Sequence, residues 1–111
     1  MGTNAIIIKK LEDKYKGISV NFDGYLEHTG LMLSNNYDSE EAVEELLELG
    51  NLSGIERNIE NCAAYGRDYG EKNQFARIKN RIKDFGSAPY IYLWKDETWF
   101  VSIRSSEFVE L

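Results

Sequence analysis

The spacing of apolar and polar residues predicts strands near both ends of the chain. Residues 4–11, NAIIIKKL, are rich in β-branched side chains, and in residues 18–22, ISVNF, every second residue is apolar. The polar turn between these two segments predicts an antiparallel hairpin. A second hairpin is predicted where the apolar runs at 90–94 and 98–103 flank the turn KDE, and the tail 105–111 predicts a short edge strand or an extended segment.

Two segments have apolar residues at helical spacing. Residues 39–49 carry an apolar stripe on one side, Asp38 or Ser39 can cap the N-terminus, and Gly50 suits the C-terminal cap. That stripe consists of Val43, Leu46 and Leu47. Residues 72–85 have the same type of spacing and predict a second amphipathic helix. Its apolar residues are Phe75, Ile78, Ile82 and Phe85.

Two further segments complete the predicted order of elements. Leu26, Leu31 and Leu33 predict a short and imperfect helix, and NCAAYGR at 61–67 fits a short central strand with small side chains. The resulting order, β-β-α-α-β-α-β-β, predicts an α+β fold. We expect one compact domain over 1–111, with a mainly antiparallel sheet of about five strands and about three helices packed on one face.

Composition limits the classes of function. The formal net charge of −6 disfavours direct binding to DNA or to an anionic membrane, because a negative surface repels phosphates, but it can attract a basic protein. Cys62 is the only cysteine, which excludes an intrachain disulfide and suggests a reducing cytoplasm. One cysteine and one histidine also argue against a four-ligand zinc site, so we predict neither a metal nor another cofactor. The sequence predicts no transmembrane segment.

Acidic and basic residues are segregated along the chain. The predicted helix 39–49 carries a cluster of five glutamates, Glu40, Glu41, Glu44, Glu45 and Glu48. Basic residues dominate 67–83. Both segments could simply present solvated faces. Alternatively, the acidic helix could enter the basic groove of a partner protein, as a DNA mimic does, while the basic segment could hold a phosphate or pair with the acidic helix of a second copy in a homodimer.

The stretch NCAAYGRDYGE at 61–71 allows two interpretations. In the structural one, Arg67 pairs with a carboxylate, Asp68 caps a helix and the tyrosines pack. In the functional one, Arg67 binds a phosphate or carboxylate and a tyrosine offers a stacking face, with free amides at a helix start nearby. The candidate ligand site then comprises Asp23, Tyr25, Tyr65, Arg67, Asp68, Tyr69 and Glu71.

Catalysis is the least favoured of the possible functions. Asp23 and His28 could act as a hydrolytic pair, but the sequence places no nucleophile beside them. We therefore predict a binding protein rather than an enzyme.

Several blocks of the chain resemble a family of small phage and prophage proteins. The blocks are MGTNAIII, NFDGY, TGLMLSNNY, LELGNLS, AAYGRDYGE and YIYLWKDETWFV, in the order that the family has them. The chain departs from the family pattern at Asn4, Phe22 and Leu26, where the family usually has Arg, Trp and Pro. A family site built on that Arg and Trp would be altered here.

The resemblance implies a viral accessory protein in the cytoplasm of a bacterial host. By analogy with other small acidic phage proteins, we expect it to inhibit a host defence system. The first hypothesis is an anti-CRISPR-like blockade, in which the acidic helix binds a basic defence protein. The alternative is a sponge for a signalling nucleotide, with Tyr65 and Tyr69 beside the base, Arg67 on the phosphate and nearby lysines adding positive charge.

Overall fold

The computed structural model describes residues 3–111, which form an α+β fold with eight strands and three α-helices. The strands are β1 (Ala5–Lys10), β2 (Tyr15–Val20), β3 (Leu52–Gly54), β4 (Ala63–Ala64), β5 (Arg77–Lys79), β6 (Tyr90–Lys95), β7 (Thr98–Ile103) and β8 (Val109–Glu110). The α-helices are α1 (Leu31–Asn36), α2 (Glu40–Glu48) and α3 (Tyr65–Tyr69). Short 3₁₀ turns occur at Ile59–Asn61 and Ile82–Phe85, and a π-helical turn, Leu26–Gly30, precedes α1.

Strand β1 lies in the centre of the sheet, as its unbroken apolar run requires. Ile7 faces one core and its neighbours Ile6 and Ile8 face another, so the strand is buried on both sides. A strand covered on both faces is typical of parallel pairing. β1 accordingly pairs in parallel with β6 on one side and antiparallel with β2 on the other.

The sheet corrects the prediction of about five, mainly antiparallel strands. Its order is β4-β3-β2-β1-β6-β7-β8, and β5 also pairs with β2. Two pairings, β1 with β6 and β2 with β3, are parallel, so the sheet is mixed. Both predicted hairpins are present, and Asp96 and Glu97 have positive φ angles in the turn of the second. The tail forms the edge strand β8.

The two faces of the sheet are covered differently. On the first face, α1 and α2 pack their buried leucines against the strands, and the indoles of Trp94 and Trp99 meet edge to face at 5.3 Å. On the second face, the turn Ile82–Phe85 supplies Phe85 to a smaller core that includes Ile8. Gly17 makes room for Phe85, because a Cβ atom at this position would lie 2.9 Å from the ring.

In two segments the secondary structure differs from the one that the spacing of apolar residues predicted. The prediction of a helix over 72–85 is wrong, since this segment contains a loop, strand β5 and a 3₁₀ turn. The prediction of a strand over 61–67 is mostly wrong, since β4 spans two residues and α3 begins at Tyr65. The leucine-rich segment near residue 30 does form a helix, as predicted.

None of the helices within residues 3–111 has the length and apolar character needed to cross a membrane.

Candidate functional site

Helix α2 forms where the sequence predicts it, because local signals and packing agree. Ser39 caps its N-terminus, with the Ser39 hydroxyl accepting a hydrogen bond from the Ala42 amide at 3.2 Å. Glutamates in the first turn also suit the helix dipole. The buried stripe of Val43, Leu46 and Leu47 fixes which side of the helix faces the sheet.

Two of the five glutamates in α2 turn back toward the sheet. Lys9 donates to Glu40 and Glu44 at 2.9 Å each, and Lys16 lies 3.5 Å from Glu44. The Trp94 indole nitrogen also donates to Glu40, at 2.8 Å. These contacts join α2 to β1, β2 and β6, so Glu40 and Glu44 hold the helix on the sheet.

The pKa values in this cluster follow from its geometry. The hydrogen bond from Lys9 is the main cause that lowers the pKa of both Glu40 and Glu44 below the ordinary value of 4.5. Burial alone would lower the pKa of Lys9, but its hydrogen bonds to the two carboxylates raise it. All three groups are therefore charged at neutral pH.

The other three glutamates form an outward stripe. Glu41, Glu45 and Glu48 are exposed, and none of them forms an ion pair with another described residue. Their spacing of four and three residues places them along one side of the helix. The five glutamates that the sequence groups together are thus two sets, one bound to the sheet and one open to solvent. We call the open set the acidic stripe.

Because residues 72–85 do not form a helix, the basic residues of 67–83 do not share one helix face. Arg67 lies in α3, Arg77 and Lys79 lie in β5, and Arg81 pairs with Asp84 at 3.1 Å. The lysines that neutralise part of α2 instead come from β1 and β2.

Arg67 is held by its own surroundings. Its Nε and Nη2 donate to the two oxygens of Asp68 at 2.8 and 2.9 Å. Its Nη1 donates to the carbonyl of Ile59 at 2.8 Å, and Nη2 also donates to the carbonyl of Cys62 at 2.6 Å. The guanidinium of Arg67, which was predicted to bind a phosphate, therefore already binds a carboxylate and two carbonyls. This is the structural interpretation of the residue.

Asp68 completes the same local structure. It accepts from the amide of Ala64 at 2.8 Å, across the first turn of α3. The hydrogen bond from Arg67, followed by that from Ala64, lowers the pKa of Asp68. The hydrogen bond to Asp68 likewise raises the pKa of Arg67. The pair closes the turn around α3 and remains ionised at neutral pH.

The tyrosines of this stretch differ in exposure. The Tyr65 hydroxyl accepts from Asn21 Nδ2 at 2.7 Å, whereas Tyr69 is 58% exposed. Their ring centres lie 5.9 Å apart. Gly70 ends α3 with a positive φ of 66°, and the amide of Glu71 then donates to the carbonyl of Tyr65. The glycine thus serves the helix C-terminus.

Asp23, Tyr25 and His28 lie in the turn before α1. Asp23 has a positive φ of 57°, and the charge of its carboxylate is the main cause that raises the pKa of Tyr25. His28 places Nε2 2.8 Å from the carbonyl of Ile55, so this nitrogen donates, and it lies 3.7 Å from Glu56. The histidine therefore ties two loops together, and Asp23 is not its partner.

A groove of about 650 Å³ lies where the end of α2 meets α3 and the following loop. Its lining consists of Glu48, Leu49, Gly66, Arg67, Glu71, Lys72, Asn73, Gln74 and Phe75. Of the predicted candidates, the fold brings together here Glu48 from the acidic cluster and Arg67 and Glu71 from the ligand set. A smaller hollow of about 170 Å³ adjoins it and shares Glu48 and Phe75.

The sequence did not point to Phe75 or Gln74 as groove residues, and it placed Lys72 only within the basic segment 67–83. The helical pattern assigned Phe75 to a buried stripe, yet its side chain is 80% exposed between the two hollows. The signal available was GEKN, a turn sequence, because Gly70 and Asn73 both have positive φ angles.

Asn51 fixes the loop that carries Phe75. Its backbone amide donates to the Gln74 carbonyl at 2.8 Å, and its side-chain amide donates to Gln74 Oε1 at 3.0 Å. Asn51 also accepts from the amides of Ser19 and Tyr65. Gly50, with φ of 75°, allows this approach, since a Cβ atom would lie 1.8 Å from the Gln74 oxygen. The groove wall is therefore anchored to β2 and α3.

The groove offers carboxylates, an ammonium group and an aromatic ring. Among the described residues, its lining contains no serine, cysteine or histidine. Within residues 3–111, no three His, Cys, Asp or Glu side chains are grouped closely enough to hold a metal ion. No protein-family model, no curated protein and no solved structure matches this chain.

Proposed function

We propose that this protein is a binding module that captures a basic and partly apolar segment of another protein. The observation that carries the proposal is the exposed ring of Phe75, which stands between two hollows beside the end of the acidic stripe. Aromatic side chains that lie beside concave surfaces are typical anchors of protein interfaces. The groove therefore has the composition of a docking site.

Phe75 supplies the apolar part of the recognition. Covering a side chain of this size contributes about 2 kcal/mol relative to leaving it in water. The loop is held in place by Asn51 and Gly50, so little conformational entropy is lost when a partner binds.

The acidic stripe selects the charge of the partner. Glu41, Glu45 and Glu48 lead along α2 into the groove, where Glu71 adds a fourth carboxylate. With a net charge of −6, the whole molecule attracts a basic segment and repels nucleic acid. The partner segment we infer combines lysine or arginine with an aromatic or aliphatic residue.

The biological setting that we propose rests on the resemblance to small phage proteins. In that setting the protein blocks a basic surface of a bacterial defence protein inside the host cell. The two sets of glutamates on α2 support such a role. The acidic stripe is exposed and can contact a partner, while Glu40 and Glu44 hold the helix on the sheet.

The nucleotide sponge is a second candidate, favoured by the volume of the groove. At about 650 Å³ it lies within the range of roughly 300–1,000 Å³ that small-molecule sites occupy. Against it, Arg67 is engaged by Asp68, which leaves Lys72 as the cation for a phosphate. A nucleotide at a hundred times its dissociation constant would stabilise the fold by about 2.7 kcal/mol, which a thermal shift detects.

The test of the protein-binding proposal compares two matched pairs of variants. A displayed library of short random peptides is selected against the wild-type chain, and the affinity of the enriched peptides is measured by fluorescence anisotropy. Phe75→Ser should weaken binding about tenfold or more, whereas Ile78→Ser, at an exposed position of β5 outside the groove, should leave it unchanged.

A second pair of variants tests the role of charge. In each variant three glutamates are changed to lysine, so the two variants have the same net charge. Changing Glu41, Glu45 and Glu48 to Lys brings the formal charge from −6 to zero, and so does changing the exposed Glu12, Glu107 and Glu110. Only the first variant should lose peptide binding. If both triple variants lose it equally, overall charge is responsible and the stripe is not a site. If no peptide is enriched and a nucleotide raises the melting temperature, the sponge replaces this proposal.

A further inference from the structure

On the second face of the sheet, a small polar cavity is lined by Arg77, which forms no ion pair with any other residue of 3–111. It has a volume of about 160 Å³ and lies between the start of β1, the end of β2 and the segment after the 3₁₀ turn. The side chains that make it polar are Asn4, Ser19, Asn21, Arg77 and Ser87, and none of the described residues that line it is acidic. It is separate from the groove beside α2 and plays no part in the function proposed above.

Arg77 is placed there by β5. Residue 77 pairs with Gly17 of β2, which has no side chain, and the guanidinium carbon lies 5.4 Å from the centre of the Phe85 ring. Its Nη2 donates to Ser19 Oγ at 3.3 Å. Stacking against Phe85 thus fixes the orientation of the guanidinium.

The hydrogen-bonding of Arg77 is incomplete. Its Nε is buried and has no partner among residues 3–111. In the same part of the chain Arg77 forms no ion pair, unlike Arg67 and Arg81. A buried and unsatisfied donor on a charged group is costly, and the cost disappears when an anion accepts from it.

We propose that this cavity binds a small oxyanion, with phosphate as the preferred ligand. Arginine binds tetrahedral and planar oxyanions through its fork of N–H groups. Within residues 3–111 the Arg77 fork makes one hydrogen bond, from Nη2 to Ser19, so most of its donors are left for an anion. The hydroxyls of Ser19 and Ser87 and the side-chain amide of Asn4 are further donors around the same space. The cavity is smaller than the roughly 300 Å³ at which small-molecule sites begin, so it accepts a single ion or one terminal phosphate group.

Titration of the ¹⁵N-labelled full chain with sodium phosphate at constant ionic strength tests the proposal. The side-chain Nε–H signal of Arg77 should shift saturably, while that of Arg81, which is exposed and paired with Asp84, should not. Sodium acetate and a phosphate monoester are the other two arms. Saturation by both phosphate and the monoester identifies a terminal phosphate as an acceptable source, and saturation by phosphate alone identifies the free ion. Tighter binding of acetate than of phosphate would overturn the assignment to phosphate.

A pair of variants provides the second readout. Arg77→Gln removes the charged fork and should weaken phosphate binding about tenfold or more, whereas Arg81→Gln should bind as the wild type does. Phosphate should raise the melting temperature of the wild type and of Arg81→Gln but not that of Arg77→Gln. If Arg77→Gln does not fold, the titration of the wild-type chain decides. Absence of a saturable Arg77 shift, or equal phosphate binding by the two variants, would overturn the proposal.

Discussion

Two segments of this protein have apolar residues at helical spacing, and only one of them is a helix. Glu40–Glu48 forms α2, with Val43, Leu46 and Leu47 fully buried. In residues 72–85 the four apolar side chains do not form one stripe, since only Ile82 and Phe85 share a core. Phe75 and Ile78 are 80% and 57% exposed, while Phe85 is buried on the opposite face of the sheet from α2.

The difference lies in what competes for the backbone. In α2 the cap at Ser39 and the buried stripe favour the same helix, so local and tertiary preferences agree. In the second segment, Arg77–Lys79 pairs with the free edge of β2, and the backbone amide of Asn51 donates a hydrogen bond to the carbonyl of Gln74. Hydrogen bonds to distant residues therefore replace those that a helix would make.

This comparison explains where the candidate site comes from. A helix over 72–85 would have buried Phe75 with its neighbours, whereas the strand and loop leave the ring exposed beside Glu48. The apolar period predicted that Phe75 and Ile78 are buried, and in the structure both are exposed. It did not identify whether the covering surface belongs to this chain, and for Phe75 we propose that a partner supplies it.

The largest expected effect is a loss of stability on truncating a buried side chain of α2, compared with an exposed side chain of the second segment. Leu46→Ala should lower the free energy of unfolding by about 3–4 kcal/mol, because it leaves a cavity under α2. Ile78→Ala, in the second segment, should change it by less than about 0.5 kcal/mol, because that side chain is already exposed. Urea denaturation of both variants measures the contrast. A similar loss in both would show that β5 is covered in solution.

The next effect tests the anchoring of the second segment. Gly50→Ala should cost about 2–3 kcal/mol, since the residue has a positive φ and its Cβ would collide with the Gln74 carbonyl. Gly54→Ala is the control, because a Cβ there meets nothing within 4 Å, and its effect should stay within about 0.5 kcal/mol. Hydrogen exchange should show faster exchange at the Asn51 amide in the first variant alone. Equal stability of the two variants would contradict the close approach of Gln74.

The smallest effect concerns the charges that hold α2 on the sheet. Glu44→Gln should cost up to about 1 kcal/mol at pH 7, whereas Glu45→Gln, on the open side, should be close to neutral. A carboxyl whose pKa is lowered by folding stabilises the fold fully above its unfolded pKa, near 4.5 for Glu44. This stabilisation is lost as the pH falls through the lower, folded-state pKa.

Denaturation curves at pH 7 and at successively lower pH therefore provide the check. The difference between the wild type and Glu44→Gln should shrink once the pH is below 4.5 and vanish when Glu44 is protonated in both states. A difference that persists unchanged in acid would mean that packing of the side chain, and not its charge, stabilises the helix.

The candidate site was predictable in its parts but not in its assembly. The sequence identified Glu48, Arg67 and Glu71 as candidates, and the groove contains all three. It could not show that Asp68 engages Arg67, although the two are adjacent, because the geometry depends on the carbonyls of Ile59 and Cys62. Nor could it show that Glu40 and Glu44 face Lys9 and Lys16, which lie more than twenty positions away in the sequence.

The sequence by itself determined the features that depend on near neighbours. These are the α+β class, both hairpins, the strand near the N-terminus that became β1, and the capped helix α2. Each follows from a periodic pattern, a cap or a turn within a few residues.

Only the tertiary structure decided how distant segments satisfy one another. Three features depend on contacts between segments that are distant in the sequence. They are the parallel pairing of β1 with β6, the strand at Arg77–Lys79 and the exposed ring of Phe75. Each backbone N–H and carbonyl in a strand needs a hydrogen-bond partner, and that partner lies on another strand. The residues close to it in sequence therefore do not determine which strand supplies the partner.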